Sequence, residues 1–307
     1  MNDPGPEISD LIVDFDPVTL ERLPVKRDEV AQTFETRGNR RAARIVRAMD
    51  TLPDGTLDPD AVDALMLRVH SEIQRLSEEF LQGHRALALV RLLINTLRDM
   101  GQPGPYRVVD VGCGPGYMLR WLAANANLGD DVQWVGADYH VALIERARLL
   151  ARAEGLPCQF EVTNAFNMTQ PATIYMSVGV IHHFRGAGLE SFFAQQNQPG
   201  TWAFAHFDIL QSWLAPLGAW LFHQSRMREP LARHDGVMSA RRAHPSDVLK
   251  DAATRAATDM RVSFFDEDRS ALPILKVMHA VVGVKPALCD ALAQSKDPAR
   301  LRLEPFS

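Results

Sequence analysis

Apolar residues in the first hundred positions recur at the three- and four-residue steps of amphipathic helices. Between Asp28 and Met49 the apolar positions share one face and arginines stand opposite, which predicts a helix. A second helix is expected from Asp58-Pro59, an N-cap followed by proline at the first helical position, to Phe80. A third, over about 85–99, is apolar on nearly all sides, which predicts burial between layers.

After a break rich in glycine and proline at 101–105, short β-branched runs alternate with helical segments. Helices are predicted at about 117–126 and 141–153. The predicted strands are Tyr106–Val111, Val132–Ala137, Cys158–Val162, Thr173–Val178 and Trp202–Phe207, with Arg261–Phe265 and Ile274–Val284 to close the set. This alternation indicates βαβ units, and so an α/β fold with a mostly parallel sheet covered on both faces.

The change of pattern divides the chain into two predicted regions. Residues 1–104 are expected to form a helical cap or oligomerisation region, and residues 105–307 an α/β domain. Within the second region, the connection 208–244 between the fifth strand and a helix starting near Pro245 is unusually long. Connections of this length are often lids or binding segments, so we expect it to cover a substrate pocket.

Composition narrows the class of protein. The 307 residues are 46% apolar and 23% charged, as in soluble globular proteins, and the net charge of −5 gives no support to nucleic-acid binding by bulk electrostatics. Three widely spaced cysteines without a C-x-x-C pair favour a reducing compartment. The amino terminus lacks the features of a signal peptide, and lysine and histidine interrupt the longest apolar stretch, 271–289. We expect a soluble, cytoplasmic protein.

A glycine-rich loop follows the first predicted strand. Asp110 lies near the end of that strand, and Gly112, Gly114 and Gly116 alternate before a helix. Such a loop lies at the carboxyl end of the first strand of an open α/β sheet, where cofactors bind. The third glycine comes one residue earlier than in the dinucleotide fingerprint G-x-G-x-x-G, and a carboxylate at position 110 would repel a pyrophosphate but attract an ammonium group. A nicotinamide-dependent oxidoreductase is therefore disfavoured.

A second acid, Asp138, ends the second predicted strand, 26 residues after Gly112. A carboxylate there can accept hydrogen bonds from both hydroxyls of a ribose; the alternative is an N-cap of the next helix.

Together these residues resemble the class I S-adenosylmethionine-dependent methyltransferases over about 106–284. The resemblance rests on D-x-G-C-G-P-G at 110–116, G-A-D at 136–138 and the segment 177–184 after the fourth strand. It implies a Rossmann-like, doubly wound, mostly parallel seven-stranded sheet with an N-terminal helical region, and S-adenosyl-L-methionine as cofactor, with S-adenosyl-L-homocysteine as product.

The resemblance also implies roles for single residues. Asp110 would hold the cofactor's amino group, Asp138 its ribose hydroxyls, and Tyr139 would pack on its adenine. Asn164 stands where the family often has an acid that bonds the adenine amine, so an amide replaces a carboxylate. The implied cofactor-binding residues are Asp110, Gly112, Cys113, Gly114, Gly116, Asp138, Tyr139, Asn164, Ala165, Ser177 and Val178.

Six of the ten histidines fall between positions 182 and 244, where a general base for methyl transfer is expected. His182 and His183 follow the fourth strand, and His206 lies in the fifth, two residues before an acid, Asp208, that could orient it. We expect a base among these three histidines, with Asp208 as partner; the alternative for each is a hydrogen-bonded structural histidine. No metal site is expected, since no H-x-x-x-H occurs and the cysteines are distant in sequence.

The connection 208–244 supplies the candidate substrate-binding residues. Its aromatic half could wall a pocket, and its arginines and histidines could bind an anionic acceptor; the alternative is a solvated charged face. The candidates are Trp213, His223, Arg226, His234 and Arg241.

The leading hypothesis is methyl transfer to a small molecule. The Pro-Pro-aromatic and Pro-Cys segments of nucleic-acid methyltransferases are missing after the fourth strand, where Ser-Val-Gly-Val stands. The runner-up is methylation of a protein or peptide side chain, and a non-catalytic module with the cofactor fold is the alternative from a different class. Neither a nucleic acid nor a membrane is an expected partner; the N-terminal helices are expected to cap a pocket, to form a homodimer interface, or both.

Overall fold

A computed structural model of the chain describes residues 4–265 and 277–306. The chain divides into two compact units. The first consists of Met1–Leu76 and Gln211–Ala243, and the second of Ser77–Leu210 and His244–Ser307.

The second unit is built on a seven-stranded sheet, as the sequence predicts. Its strands are β1 (Tyr106–Val111), β2 (Val132–Asp138), β3 (Cys158–Val162), β4 (Ile174–Val178), β5 (Ala203–Ile209), β6 (Arg261–Phe265) and β7 (Met278–Val284). Their order is β3-β2-β1-β4-β5-β7-β6, and β7 is antiparallel to both of its neighbours while the other pairs are parallel. The predicted doubly wound, mostly parallel sheet is confirmed. The first residues of the predicted last strand, 274–276, lie outside the described residues.

Helices cover both faces of this sheet. The helices of the unit are α5 (Gln82–Asp99), α6 (Tyr117–Asn125), α7 (Val141–Glu154), α8 (Ala187–Ala194), α11 (Ser246–Ala256) and α12 (Pro286–Gln294). Residues of α5, α6, α7 and α12 join one apolar core with Val108, Met176 and Phe207. Residues of α8 and α11 join a second core, on the other face, with Val109 and Phe204. Because successive strand residues point to opposite faces, neighbours such as Val108 and Val109 belong to different cores.

The boundary between the units differs from the predicted division at residue 104. Helix α5 is buried along most of its length and belongs to the core of the sheet, as its apolar residues on nearly all sides require. The unit boundary falls earlier, within α4 (Pro59–Glu79). The cap, lid and oligomerisation roles of the outer regions stay proposals.

The first unit is helical. It contains α1 (Ser9–Ile12), α2 (Arg27–Thr36), α3 (Arg40–Arg47), most of α4, α9 (Ala215–Arg226) and α10 (Pro230–Arg242). The single helix predicted for Asp28–Met49 is two helices, because Gly38 takes a left-handed φ of +76° and the Asn39 side chain caps α3 by accepting from the amide of Ala42. Most of the connection 208–244 is also helical, as α9 and α10.

Two buried carboxylates fix backbone turns within this unit. Asp235 accepts hydrogen bonds from the amides of Ile8 and Ser9, each at 2.9 Å, at the start of α1. Glu72 accepts from the amides of Arg228 and Glu229, which precede α10, at 2.9 and 3.1 Å. Both acids sit where helix amino termini expose unpaired N–H groups.

Among the helices of the described residues, none is both long and apolar enough to cross a membrane.

Candidate functional site

The glycine loop connects β1 to α6 at the carboxyl edge of the sheet. Gly112 has a φ of +71°, and a Cβ there would lie 2.8 Å from Cγ2 of Val180 in the segment after β4. Gly116, the N-cap of α6, has a φ of +72°, and a side chain would overlap the ring of Phe160. Both positions require glycine because a left-handed backbone and a close neighbour exclude other residues. The Gly112–Val180 contact also brings the loop against the segment that carries His182.

Asp138 is buried at the end of β2 and is bonded to the loop. Its Oδ2 accepts from the amide of Gly114, and its Oδ1 from the amide of His140, both at 2.9 Å. The N-cap of α7 is His140 and not Asp138, so the helix-cap alternative for Asp138 is not what the structure shows. The carboxylate is held in one orientation beside the glycine loop, as a ribose-binding acid must be.

Asp110 is buried on the β1 face that carries Val108, and no hydrogen bond among the described residues engages its carboxylate. Burial, and secondly the negative charge of Asp138, raises the pKa of Asp110 to about 8. Two neighbouring buried acids without a cation between them are suited to a positively charged ligand group. This pair of acids at the glycine loop fits the methionyl ammonium of S-adenosylmethionine.

The other predicted cofactor residues divide into two groups. Tyr139, directly after Asp138, is 45% exposed and so can pack on a ligand. Asn164 uses its Oδ1 to accept from the amide of Phe166 at 2.9 Å, and Ala165 packs against the second core.

Cys113, Ser177 and Val178 are placed differently from the prediction. The Cys113 thiol is buried against Gly136, and burial, followed by the charges of Asp138 and Asp110, raises its pKa well above the ordinary value. Ser177 is fully buried and bonds His206, and Val178 packs against the first core. Sheet alternation points Ser177 and Val178 to opposite faces of β4, and Cys113 is buried in the loop, so the backbone of these residues is the part open to a ligand.

A histidine and an aspartate form a buried pair at the ends of β4 and β5. His182 lies in a 3₁₀ helix of one turn, Ile181–His183, and its Nδ1 is 2.8 Å from Oδ1 of Asp208. The amide of His182 also donates to Oδ2 of Asp208, at 2.9 Å. Burial raises the pKa of Asp208, but the charge and hydrogen bond of His182 outweigh it and bring the pKa to about 2. Since an ionised carboxylate only accepts, Nδ1 of His182 carries a proton and donates to Asp208.

His183 is half-buried beside this pair, with its ring centroid 4.4 Å from that of His182. The structure thus brings three of the four predicted catalytic residues together: His182, His183 and Asp208.

His206 is the exception, and the prediction that it acts as the base is corrected. It is fully buried, its Nδ1 accepts from the Ser177 hydroxyl at 2.8 Å, and its Nε2 donates to Oε1 of Gln196. Burial lowers the pKa of His206 to about 3, against a smaller opposing effect of Asp208. The ring is packed between Phe192 and Phe204. With both nitrogens engaged inside the core, it is a structural histidine.

Replacing His206 should therefore affect stability and not chemistry. We expect His206→Ala to lower the free energy of unfolding by about 2–4 kcal/mol, because Ser177 and Gln196 lose their partner and a cavity opens. The turnover of the folded fraction should stay within about threefold of wild type. Urea titration measures the free energy of unfolding, and activity assays corrected for the fraction of folded enzyme measure turnover. A loss of turnover of the size that removal of a base causes would reinstate His206.

The predicted substrate-binding residues lie in the first unit, and two of them are corrected. His234 is buried, with Nδ1 at 2.7 Å from Asp235 and Nε2 at 2.9 Å from Nδ2 of Asn39. His223 is buried with its ring against Gly236 of α10, where a Cβ would overlap it. Both histidines are packing residues of this helical unit. The exposed candidates are Trp213, Arg226 and Arg241.

Sequence reasoning missed the residues that support the turn at 181–183. His244, noted only as one of the clustered histidines, bonds the turn, and Val180 contacts Gly112. Only three-dimensional proximity reveals His244, because about sixty residues separate it from the turn.

Residues 108–198, from β1 to just past α8, match a family model described as a methyltransferase domain. No curated protein sequence matches the chain significantly. Among solved structures, the chain is similar to the plantazolicin methyltransferase BpumL in complex with SAH (12% identity, TM-score 0.51, covering 73% of this chain and 95% of that one). It is also similar to the plantazolicin methyltransferase BamL with a triazolic desmethylPZN analog and SAH (11% identity, TM-score 0.51, covering 73% of this chain and 96% of that one). A third similar structure is the magnesium protoporphyrin IX methyltransferase ChlM from Synechocystis PCC 6803 with bound SAH (12% identity, TM-score 0.45, covering 84% of this chain and 99% of that one).

Proposed function

We propose that the chain, whose residues 108–198 match a methyltransferase domain, is a class I S-adenosylmethionine-dependent methyltransferase that methylates a small-molecule acceptor with His182 as the general base. The activity class and the cofactor are those of the family. The observation that carries the rest is the buried His182–Asp208 pair beside the glycine loop.

The cofactor residues have distinct roles in this proposal. Bound S-adenosylmethionine supplies an electrophilic methyl group on a sulfonium sulfur. Asp110 would face its ammonium, the backbone of Gly112, Gly114 and Gly116 would line its methionyl and ribose portion, and Asp138 would accept from its ribose hydroxyls. Exposed Tyr139 would pack on the adenine.

His182 acts on the acceptor. Nε2 of His182 would take the proton of an acceptor X–H, and the bound cofactor would supply the methyl group and leave as S-adenosylhomocysteine. Asp208 keeps the Nδ1–H tautomer in place and stabilises the imidazolium. A base is useful only where the acceptor must lose a proton, so the pair favours a hydroxyl or an amine as the methylated group.

Two of the solved neighbours suggest an acceptor class for this proposal. BpumL and BamL are described as plantazolicin methyltransferases, so we propose a natural product of small or peptide-like character as acceptor class. Methylation of a protein or peptide side chain is the second candidate.

The first unit is proposed to contact the acceptor or a second copy of the chain. Residues 211–224 carry no acidic, lysine or arginine side chain, and Trp213, Leu217, Trp220 and Leu221 are exposed there. An apolar surface of this kind suits a lid or a homodimer interface in a cytoplasmic enzyme.

Calorimetry and labelling test the proposal. We expect S-adenosylmethionine and S-adenosylhomocysteine to bind, and Asp138→Ala to weaken both by about 10–100-fold through lost charge-assisted hydrogen bonds. Asp130→Ala, an exposed acid before β2, is the matched control and should bind as wild type. Incubation with methyl-labelled cofactor and a fractionated host extract, followed by mass spectrometry, identifies the acceptor. If neither S-adenosylmethionine nor S-adenosylhomocysteine bound at millimolar concentration, the proposal would be wrong. A labelled protein in place of a small molecule would favour methylation of a protein or peptide side chain.

A further inference from the structure

The turn that carries His182 is too short to be stable alone. Residues Ile181–His183 form a single 3₁₀ turn, entered through Gly179 at a φ of +69°. Short 3₁₀ segments have weak internal hydrogen bonds, and their terminal carbonyls need external partners. The position of the His182 ring therefore depends on whatever satisfies those carbonyls.

His244 bonds two carbonyls of the turn, of which that of Ile181 also accepts from the amide of Phe184 at 3.1 Å. Its Nε2 lies 2.9 Å from the carbonyl oxygen of Phe184 and 3.2 Å from that of Ile181, one on each side of the His182 and His183 peptides. Since carbonyls only accept, Nε2 carries the proton. Nη1 of Arg185 then donates to Nδ1 of His244 at 2.9 Å. The imidazole must be neutral to make all these bonds, because an imidazolium could not accept from Arg185.

Electrostatics agree with this assignment. Burial and then the charge of Arg185 lower the pKa of His244, whereas Asp208 and the carbonyls of Phe184 and Ile181 raise it by less. The ring is therefore neutral at physiological pH.

His244 is anchored to the sheet through helix α11. It lies two residues before the helix, and Leu249, Ala252 and Ala253 of that helix are buried in the second core. Helix α11 also packs on α8, which follows the turn in the chain. His244 thus ties the turn to a helix fixed on the sheet.

We propose that His244 is a positioning residue for methyl transfer: it holds the turn 181–184 so that His182 keeps its bond to Asp208. This inference rests on the proposed role of His182. His244 does not contact the reacting atoms and acts through the turn alone. A displacement of about 1 Å at a catalytic group can cost about 100-fold in rate, so loss of the anchor should be visible in turnover.

The test compares His244→Ala, His244→Phe and His244→Gln with wild type. Glutamine can place an amide N–H near the position of Nε2 and so restore the bonds to the carbonyls. We expect Ala and Phe to lower kcat about 10–100-fold while the Kd for S-adenosylmethionine stays within about twofold, and Gln to recover most of the loss. The low-field proton resonance of the His182 Nδ1–H···Asp208 bond, assigned by its disappearance in His182→Ala, should shift or broaden in Ala and Phe and return in Gln. Exposed His84→Ala in α5 is the control and should change neither readout.

The two readouts separate the possible failures. An unchanged resonance in folded His244→Ala, or a Gln variant no better than Ala, would overturn the positioning role, and the Gln variant decides the matter even where Ala does not fold. Full kcat in His182→Ala would instead overturn the proposed base, whereas the resonance still reports whether His244 orients His182.

Discussion

Removing the imidazole of His182 is expected to lower kcat of methyl transfer by about 10²–10⁴-fold, the range that a general base contributes. The Kd for S-adenosylmethionine should stay near the wild-type value, because His182 is proposed to act on the acceptor and not to bind the cofactor. Steady-state kinetics on the acceptor found by labelling, together with calorimetry, measure these quantities.

A second variant tests whether the pair acts as one unit. Asp208→Asn presents an amide that can donate to Nδ1, which favours the wrong tautomer of His182, so kcat should fall about 100-fold or more. The double variant should then be no slower than His182→Ala alone, since residues that act together are not additive. His84→Ala serves as the surface control. Wild-type kcat in folded His182→Ala between pH 6 and 9 would contradict the assignment.

Much of the fold could be predicted because the signals are local. Strands β1 and β3 begin and end at the predicted residues, and β1 is a run of β-branched residues bounded by turn residues, which has few alternatives. Helix α5 illustrates the limit. Its apolar surface correctly predicted burial, but the chain before β1 gives no sign of which core it joins, and the structure places it on the sheet. Packing partners far apart in sequence are set by three-dimensional fit.

The site shows the same limit at the level of single side chains. The spacing in sequence predicts that Asp208 orients His206, whereas in the structure Asp208 bonds His182. His206 and Asp208 share a face of β5, two residues apart, yet the ring of His206 is held by Ser177 and Gln196 in the core. His182 reaches Asp208 from the next strand because the turn after β4 folds over the end of β5. Spacing along one strand cannot reveal a contact made across two.

Replacing Asp110 by asparagine should stabilise the ligand-free protein and weaken cofactor binding. Burial and the charge of Asp138 raise the pKa of Asp110 to about 8, whereas in the unfolded chain an aspartate has a pKa of about 3.9. Between these values the folded protein holds a proton that the unfolded chain has lost, so the free energy of unfolding falls as pH rises from about 4 to about 8. Asp110→Asn removes this slope, and its melting temperature should exceed that of wild type most clearly near pH 8.

Cofactor binding should respond to pH in the opposite sense. The methionyl ammonium favours the ionised carboxylate, so binding releases the Asp110 proton, and wild-type affinity should rise with pH until the ammonium itself deprotonates near about pH 8. Asp110→Asn should bind S-adenosylmethionine about 10–100-fold more weakly near pH 7.5, through loss of a charge-assisted contact, and should show no such rise. Calorimetry in buffers of different ionisation enthalpy counts the released proton directly. If the Asn variant bound the cofactor with wild-type affinity and wild-type proton release, the methionyl ammonium would not bind at Asp110. The two buried acids would then bind a different cation.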